Sequence, residues 1–218
     1  PGPLDVEPAV AVETDTARKR TLEVSPAAPL GALVFKVIMD EGRKLALMRL
    51  YSGTIRAGEV YRNVTRGESE RVSRLYRLHA HHQERIDEAY AGDIVAAAGL
   101  KSARTGDTIT GEGAQYLLEN IAAYRPVISL ALEPKNSEEG DKLDEVLEKY
   151  LQEDPTLTYV QDKDTGERVI SGMGELHLEV VIDRLRREYK LSPRVGNRQV
   201  VYQEAVSGVA QATGMVNR

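Results

Sequence analysis

The sequence predicts two units in series: an antiparallel β-barrel over residues 31–112, then a β-α-β-β-α-β sandwich of the ferredoxin-like kind over residues 124–197. Three observations predict this. Short apolar runs broken by glycines recur at intervals of about ten residues between 31 and 111. From residue 124 the apolar period lengthens, and two helical stripes alternate with strand-like runs. Residues 170–180, Ile-Ser-Gly-Met-Gly-Glu-Leu-His-Leu-Glu-Val, pass from a β-branched strand end through two glycines into an amphipathic helix.

Residues 1–30 are rich in Pro, Ala, Val and acidic groups with little periodicity, so they read as a partly disordered linker or lead-in. In the barrel region, Leu33–Met39, Leu45–Tyr51, Glu59–Thr65, Arg71–Leu78 and Ile94–Leu100 read as strands. Gly42, Gly53, Gly58, Gly67 and Gly92 punctuate them. Many short strands with such turns favour a closed barrel, because closure removes exposed edges.

In the second unit Val127–Leu132 reads as a strand ended by Pro134. Ser137 suits the N-cap of a helix whose inner stripe is Leu143, Val146, Leu147 and Tyr150, and Asp154-Pro155 stops that helix. Leu157–Val160 and Arg168–Ser171 flank the hairpin turn Asp162-Lys-Asp-Thr-Gly166. Gly172 and Gly174 then allow a sharp turn and close packing, and Glu175 enters the first helical turn, where the helix dipole favours negative charge. The second stripe is Leu178, Ile182, Leu185 and Tyr189, which leaves Glu179, Asp183, Arg186 and Arg187 to solvent. A short strand near Arg194-Val195 ends the unit. A further strand, Gln199–Ala205, and a small-residue tail suggest that 198–218 begin another domain, and the start at Pro1 suggests an excised segment.

Composition narrows the function classes. The 218 residues carry a net charge of −5, which argues against a globally basic nucleic-acid binder, although a local patch is still open. With no cysteine the chain has no disulfide, no thiolate zinc site and no thiol nucleophile. No apolar run is long enough to span a membrane, and no signal peptide is visible. No G-x-x-x-x-G-K-[ST] run is present, so nothing here cradles a nucleotide phosphate, and no enzyme activity is expected of the chain itself.

The candidate chemical groups are few. His79, His81 and His82 resemble a metal cluster, but strand geometry sends His82 to the face opposite His79 and His81, so no metal site is expected. His177 lacks a carboxylate partner identifiable from sequence, which favours packing or an interdomain contact over catalysis. Between Arg62 and Arg85 six arginines stand against Glu68, Glu70 and Glu84, a local charge of +3. Guanidinium groups suit phosphate forks. In one continuous strand Arg71 and Arg77 would share a face with Arg74 opposite. The helix Ser137–Asp154 holds eight acidic residues against Lys142 and Lys149, which suits a solvated face.

The run Gly172-Met-Gly-Glu-Leu-His-Leu-Glu179 closely resembles the signature of the third domain of elongation factor G and its translational GTPase relatives. Leu50-Tyr-Ser-Gly53 with Ala57-Gly-Glu59, Ala91-Gly-Asp-Ile94, Gly99-Leu100 and Thr105-Gly-Asp-Thr108 resemble that family's second-domain barrel. Pro126-Val-Ile-Ser129, Glu133-Pro-Lys135 and Glu153-Asp-Pro-Thr156 resemble the third domain, and Pro3-Leu-Asp-Val6 resembles the exit from the GTPase domain. The short loop Asp40–Arg43, the pair His81-His82 and the tail after Val206 depart from the pattern and point to a diverged paralogue. The resemblance implies a central fragment of a ribosomal GTPase, in the cytoplasm, that relays GTPase state during translocation or recycling. Its partners would be small-subunit RNA and protein and the GTPase domain of its own chain, with no membrane. GTP and magnesium would belong to that domain, and no cofactor to this one. Docking would fall on Arg71, Arg74, Arg77 and His79, and relay on Gly172, Met173, Gly174, Glu175 and His177. The alternatives are a ribosomal protection GTPase, a release-factor-recycling relative, or a stand-alone RNA- or protein-binding module.

Overall fold

The computed structural model describes residues 2, 5–40, 43–80, 82–119, 126–162 and 166–197. The lead-in does not behave as a linker. Val10–Glu13 (β1) and Lys19–Thr21 (β2) form a hairpin, and β1 also pairs with a strand more than 100 residues later, Tyr116–Leu118. Ala11, Leu22, Tyr116 and Leu118 bury one face of this small sheet, and the Tyr116 hydroxyl donates to Leu30 O at 2.8 Å. So distant a partner leaves no local periodicity for the sequence to show.

The barrel follows. Gly31–Asp40 (β3) and Arg43–Ser52 (β4) pair along their lengths. Next come Thr54–Arg56 (β5), Val60–Asn63 (β6), Glu68–Arg71 (β7), Arg74–His79 (β8), His82–Ile86 (β9), Glu88–Tyr90 (β10), Ile94–Ala98 (β11), Thr108–Thr110 (β12) and Tyr116–Leu118 (β13). The sheet runs β7-β6-β12-β3-β4-β11-β8-β9. Only Val72 and Ser73 separate β7 from β8, and both stay bonded: Val72 N–H to Glu59 O at 3.0 Å, Ser73 N–H to Ala98 O at 2.8 Å. One kinked strand therefore pairs with both ends of the series β6-β12-β3-β4-β11 and closes the barrel. Val34, Met48, Leu50, Leu75, Val95 and Ile109 fill it.

The kink corrects the expected strand Arg71–Leu78. Val72 and Leu75 both enter the core although they are three residues apart, which leaves Arg71, Ser73 and Arg74 together outside. Gly99, at φ +107°, makes the kink possible. A Cβ there would lie 2.4 Å from Arg71 O and 2.8 Å from Ser73 N.

The second unit has the expected order. Ile128–Glu133 (β14), Ser137–Glu153 (α1), Thr158–Gln161 (β15), Arg168–Gly172 (β16), Glu175–Tyr189 (α2) and Arg194–Asn197 (β17) form a sheet of order β15-β16-β14-β17, antiparallel throughout. Asn136, not Ser137, caps α1: its side chain accepts the Glu139 N–H at 2.8 Å. Asp154 ends that helix. Leu143, Val146, Leu147 and Tyr150 from α1 meet Leu178, Val181, Ile182 and Leu185 from α2 over Leu132 and Ile170. Arg168 forks onto Asp144 at 2.7 and 2.9 Å, and the Tyr159 hydroxyl joins the same carboxylate. The strand expected at Gln199–Ala205 and the tail lie outside the described residues, as do His81 and the middle of the hairpin turn.

Candidate functional site

The turn between β16 and α2 is tightly built. A Cβ on Gly172 would lie 2.8 Å from both His177 Nδ1 and Leu178 Cδ2, so only glycine lets the helix sit this close to the strand. Gly174 is different: its φ of 176° is ordinary extended backbone, and a Cβ there would meet nothing within 4 Å. It caps α2 without a side-chain hydrogen bond, and Glu175 occupies the first turn. That carboxylate opposes an anion at this helix start, and no lysine follows the glycines.

His177 has the carboxylate partner that its sequence neighbours do not reveal. The Met173 N–H donates to Nδ1 at 3.1 Å, which puts the ring proton on Nε2, 2.9 Å from Asp154 Oδ2. Asp154 is also the C-cap of α1, with its N–H on Tyr150 O, and its other carboxylate oxygen accepts from the N–H and hydroxyl of Thr156. Among the described residues the hydrogen-bonding partners of His177 are the Met173 N–H and the Asp154 carboxylate. The pair is a brace between two helix ends.

Around this turn the surface is apolar. Val127, Met173, Leu176 and Val180 are exposed, Leu176 at 72%. A groove of about 660 Å³ runs beside α2, floored by Ile128, Leu130, Ile182 and Val195 and edged by Glu175 and Arg186. Such a patch is the kind of surface that partners cover.

The end of α1 also meets the barrel. Thr105, in the loop before β12, donates its N–H to Gln152 O at 3.3 Å and its hydroxyl to Glu153 O at 3.0 Å. Lys44 donates to Gln152 Oε1 and to Lys101 O, both at 2.6 Å. Burial pushes the Lys44 ammonium down to about 8, against the pull of Glu70. Helix carbonyls left open at a C-terminus need donors, and the barrel supplies them here.

The docking set is divided by the fold. Arg71 and Arg74 share the outer face at the kink, exposed and without an ion-pair partner among the described residues. Arg77 lies on the other face and pairs with Glu84 at 3.6 Å. His79 ends β8 opposite His82, and both are exposed. Of the remaining arginines, Arg66 is drawn in to the buried Asp107 at 3.1 Å, and Arg62 buries its Nε. Glu70 is held by Ser102 at 2.9 and 2.5 Å. Arg85, part of the basic run but outside the expected docking set, stands opposite Tyr76 on β9 and extends the basic face beside Arg74. No group of three or more potential metal ligands converges among the described residues. No described helix is long and apolar enough to cross a membrane.

Two family models match the chain in order. The one described as elongation factor G domain 2 covers residues 29–112, and the one described as elongation factor G, domain III covers 125–197. Among curated proteins the chain is 47% identical over 211 residues to elongation factor G 2 of Geobacter metallireducens, covering 97% of this chain and 31% of that protein. It is 48% identical over 207 residues to elongation factor G 1 of Geobacter sulfurreducens, covering 95% and 30%. It is 46% identical over all 218 residues to elongation factor G 2 of Syntrophus aciditrophicus, 32% of that protein. The chain thus spans about a third of the length of the curated relatives it matches.

Proposed function

The chain belongs to the elongation factor G family, and from that premise we propose that it is the docking and relay segment of a translational GTPase acting on the ribosome in the cytoplasm. The observation that carries this reading is the ordered match to both family domains, 29–112 and then 125–197. On this reading residues 31–112 hold the factor on small-subunit RNA, and residues 124–197 pass the state of a GTPase domain to the ribosome. GTP and magnesium act in that other domain. On this reading the segment binds no nucleotide of its own and moves and orients without a reacting group.

Two surfaces support the division of labour. Arg71 and Arg74, with Arg85 beside them, offer unpaired guanidinium groups on one barrel face, which suits a phosphate backbone. The turn at Gly172, Met173, Gly174, Glu175 and His177 is braced from within and bordered by exposed apolar side chains, which suits a moving contact with a neighbouring domain. The test is ribosome co-sedimentation of the full-length factor carrying Arg71→Ala and Arg74→Ala. Each lost phosphate contact should weaken binding and lower the salt slope by about one. Unchanged affinity and slope would remove the barrel face from the proposal.

A further inference from the structure

We propose that the last turn of α1 is a single latch that couples the 172–177 turn to the position of the barrel. Every polar contact described here between barrel and sandwich falls on α1: Thr105 to Gln152 and Glu153, Lys44 to Gln152, and Arg104 to Glu148 at 4.0 Å. So few polar contacts leave two units free to move unless something fixes them. What fixes them is the geometry of residues 152–154, and α2 sets that geometry.

The connection is mechanical. Glu153 O, which accepts the Thr105 hydroxyl, and Asp154 N, which closes the helix on Tyr150 O, belong to one planar peptide unit. A rotation of Asp154 therefore tilts the carbonyl that the barrel holds. His177 Nε2 fixes the Asp154 carboxylate, and His177 is itself held by the Met173 N–H at the motif turn. Two turns further along α2, Arg184 bonds Glu153 Oε2 at 3.0 Å and lies over the Tyr150 ring, so the same helix steadies the rest of the latch. On the barrel side Thr105 is not a loose surface group. Its hydroxyl oxygen also accepts the Val37 N–H at 3.2 Å, which ties the latch to the middle of β3. A displacement of the motif turn reaches β3 through His177, Asp154, Glu153 and Thr105, and by reciprocity a barrel displacement reaches His177. His177, Asp154 and Thr105 are positioning residues in this scheme. The scheme holds whether or not the chain meets a ribosome.

The chain has no cysteine, so Ile94→Cys on the barrel and Val160→Cys on the sandwich, both exposed, provide two unique spin-label sites. The distance distribution between them should be narrow in the parent. It should broaden in Thr105→Val and, decisively, in His177→Leu, which removes no atom that touches the barrel. The double variant should be no broader than either single one. His177→Gln, whose amide still reaches Asp154, should remain near the parent. A parent-like distribution in His177→Leu, or effects that simply add, would overturn the latch. The reverse readout guards against a misfolded His177 variant: Thr105→Val should speed solvent exchange of the His177 Nε2 proton, and an unchanged exchange rate would equally overturn it.

Discussion

Replacing Gly172 by alanine should destabilise the sandwich strongly, whereas the same change at Gly174, two residues away, should be nearly silent. At Gly172 the new methyl would sit 2.8 Å from His177 Nδ1 and from Leu178 Cδ2, where ordinary contact begins at 3.4 Å. Something must therefore move by several tenths of an ångström. Neither neighbour yields cheaply, because Leu178 is fully buried and His177 is held at both ring nitrogens. Overpacking of this kind costs about 1–3 kcal/mol. Loss of a His177 hydrogen bond adds about 1 kcal/mol, so the whole effect is about 3 kcal/mol. At Gly174 the backbone is extended and the space open, so only a weaker N-cap is lost, below about 1 kcal/mol. Both described helices lie in the sandwich, so ellipticity at the helical minimum reports chiefly on that unit. With a urea slope of about 2 kcal/mol per molar, Gly172→Ala should lower the midpoint by about 1.5 M and Gly174→Ala by less than about 0.5 M. Equal shifts for the two variants would refute the packing argument.

Three further outcomes follow from the same geometry. Gly99→Ala should unfold the barrel or cost it more than about 3 kcal/mol, because the methyl would strike backbone at Arg71 and Ser73 and φ is +107°; urea denaturation of the barrel strands checks it. Burial alone would raise the Asp144 carboxyl, but the Arg168 fork and the Tyr159 hydroxyl outweigh it and hold it below the usual carboxylate range. That stabilisation is present above the unfolded value of about 3.9 and is lost as pH falls, so Asp144→Asn should lose less stability than the parent between about pH 5 and pH 2. Lys44 has the opposite sense. Its folded value of about 8 lies below the unfolded value of about 10.4, so the unfolded chain binds more protons in between, and stability gains with rising pH there. Lys44→Met should remove that gain, read as the difference between variant and parent melts from pH 8 to pH 10.

The sandwich was the most legible part of the sequence, because its elements are encoded locally. Each helix carries its own stripe, and Asp154-Pro155 ends α1 where the backbone leaves helical geometry. The elements that escaped depend on partners far along the chain. β1 is paired with β13 as well as with its neighbour β2, and the short strands β5 and β12 are ordered by β10 and β3, far from them in sequence. The parity of the basic run departs from simple alternation for a physical reason of its own. Alternation holds only while a strand pairs with one partner, and the kink at Val72-Ser73, where it changes partner, resets the count so that Arg74 joins Arg71 and not Arg77. The partner of His177 was hidden by distance. Asp154 is visible in the sequence as a helix stop, but only the packing of α2 on α1 brings its carboxylate to the imidazole.

The polarity of the junction follows from what a hinge between two stable units requires. Had the end of α1 met the barrel through side chains such as Leu143 or Leu147, burial would contribute about 1.5–3 kcal/mol for each, and the two units would move as one. The contacts at Thr105, Lys44 and Arg104 are hydrogen bonds and one long ion pair, each with a net contribution of about 1 kcal/mol or less because water competes for the same groups. Their sum is of the order that a binding partner's preference between two arrangements can overcome, since a tenfold preference is about 1.4 kcal/mol. The internal brace is of another kind. Gly172 is buried and admits no side chain larger than its own, and Leu178 beneath it is fully covered, so the turn and α2 move together. A rigid motif on a weakly held helix end transmits displacement instead of absorbing it. That combination requires glycine at 172 and hydroxyl and ammonium donors at 105 and 44, and a hydrophobic residue at either donor position would remove the hydrogen bonds that hold the helix end, loosen the joint and uncouple it from the turn.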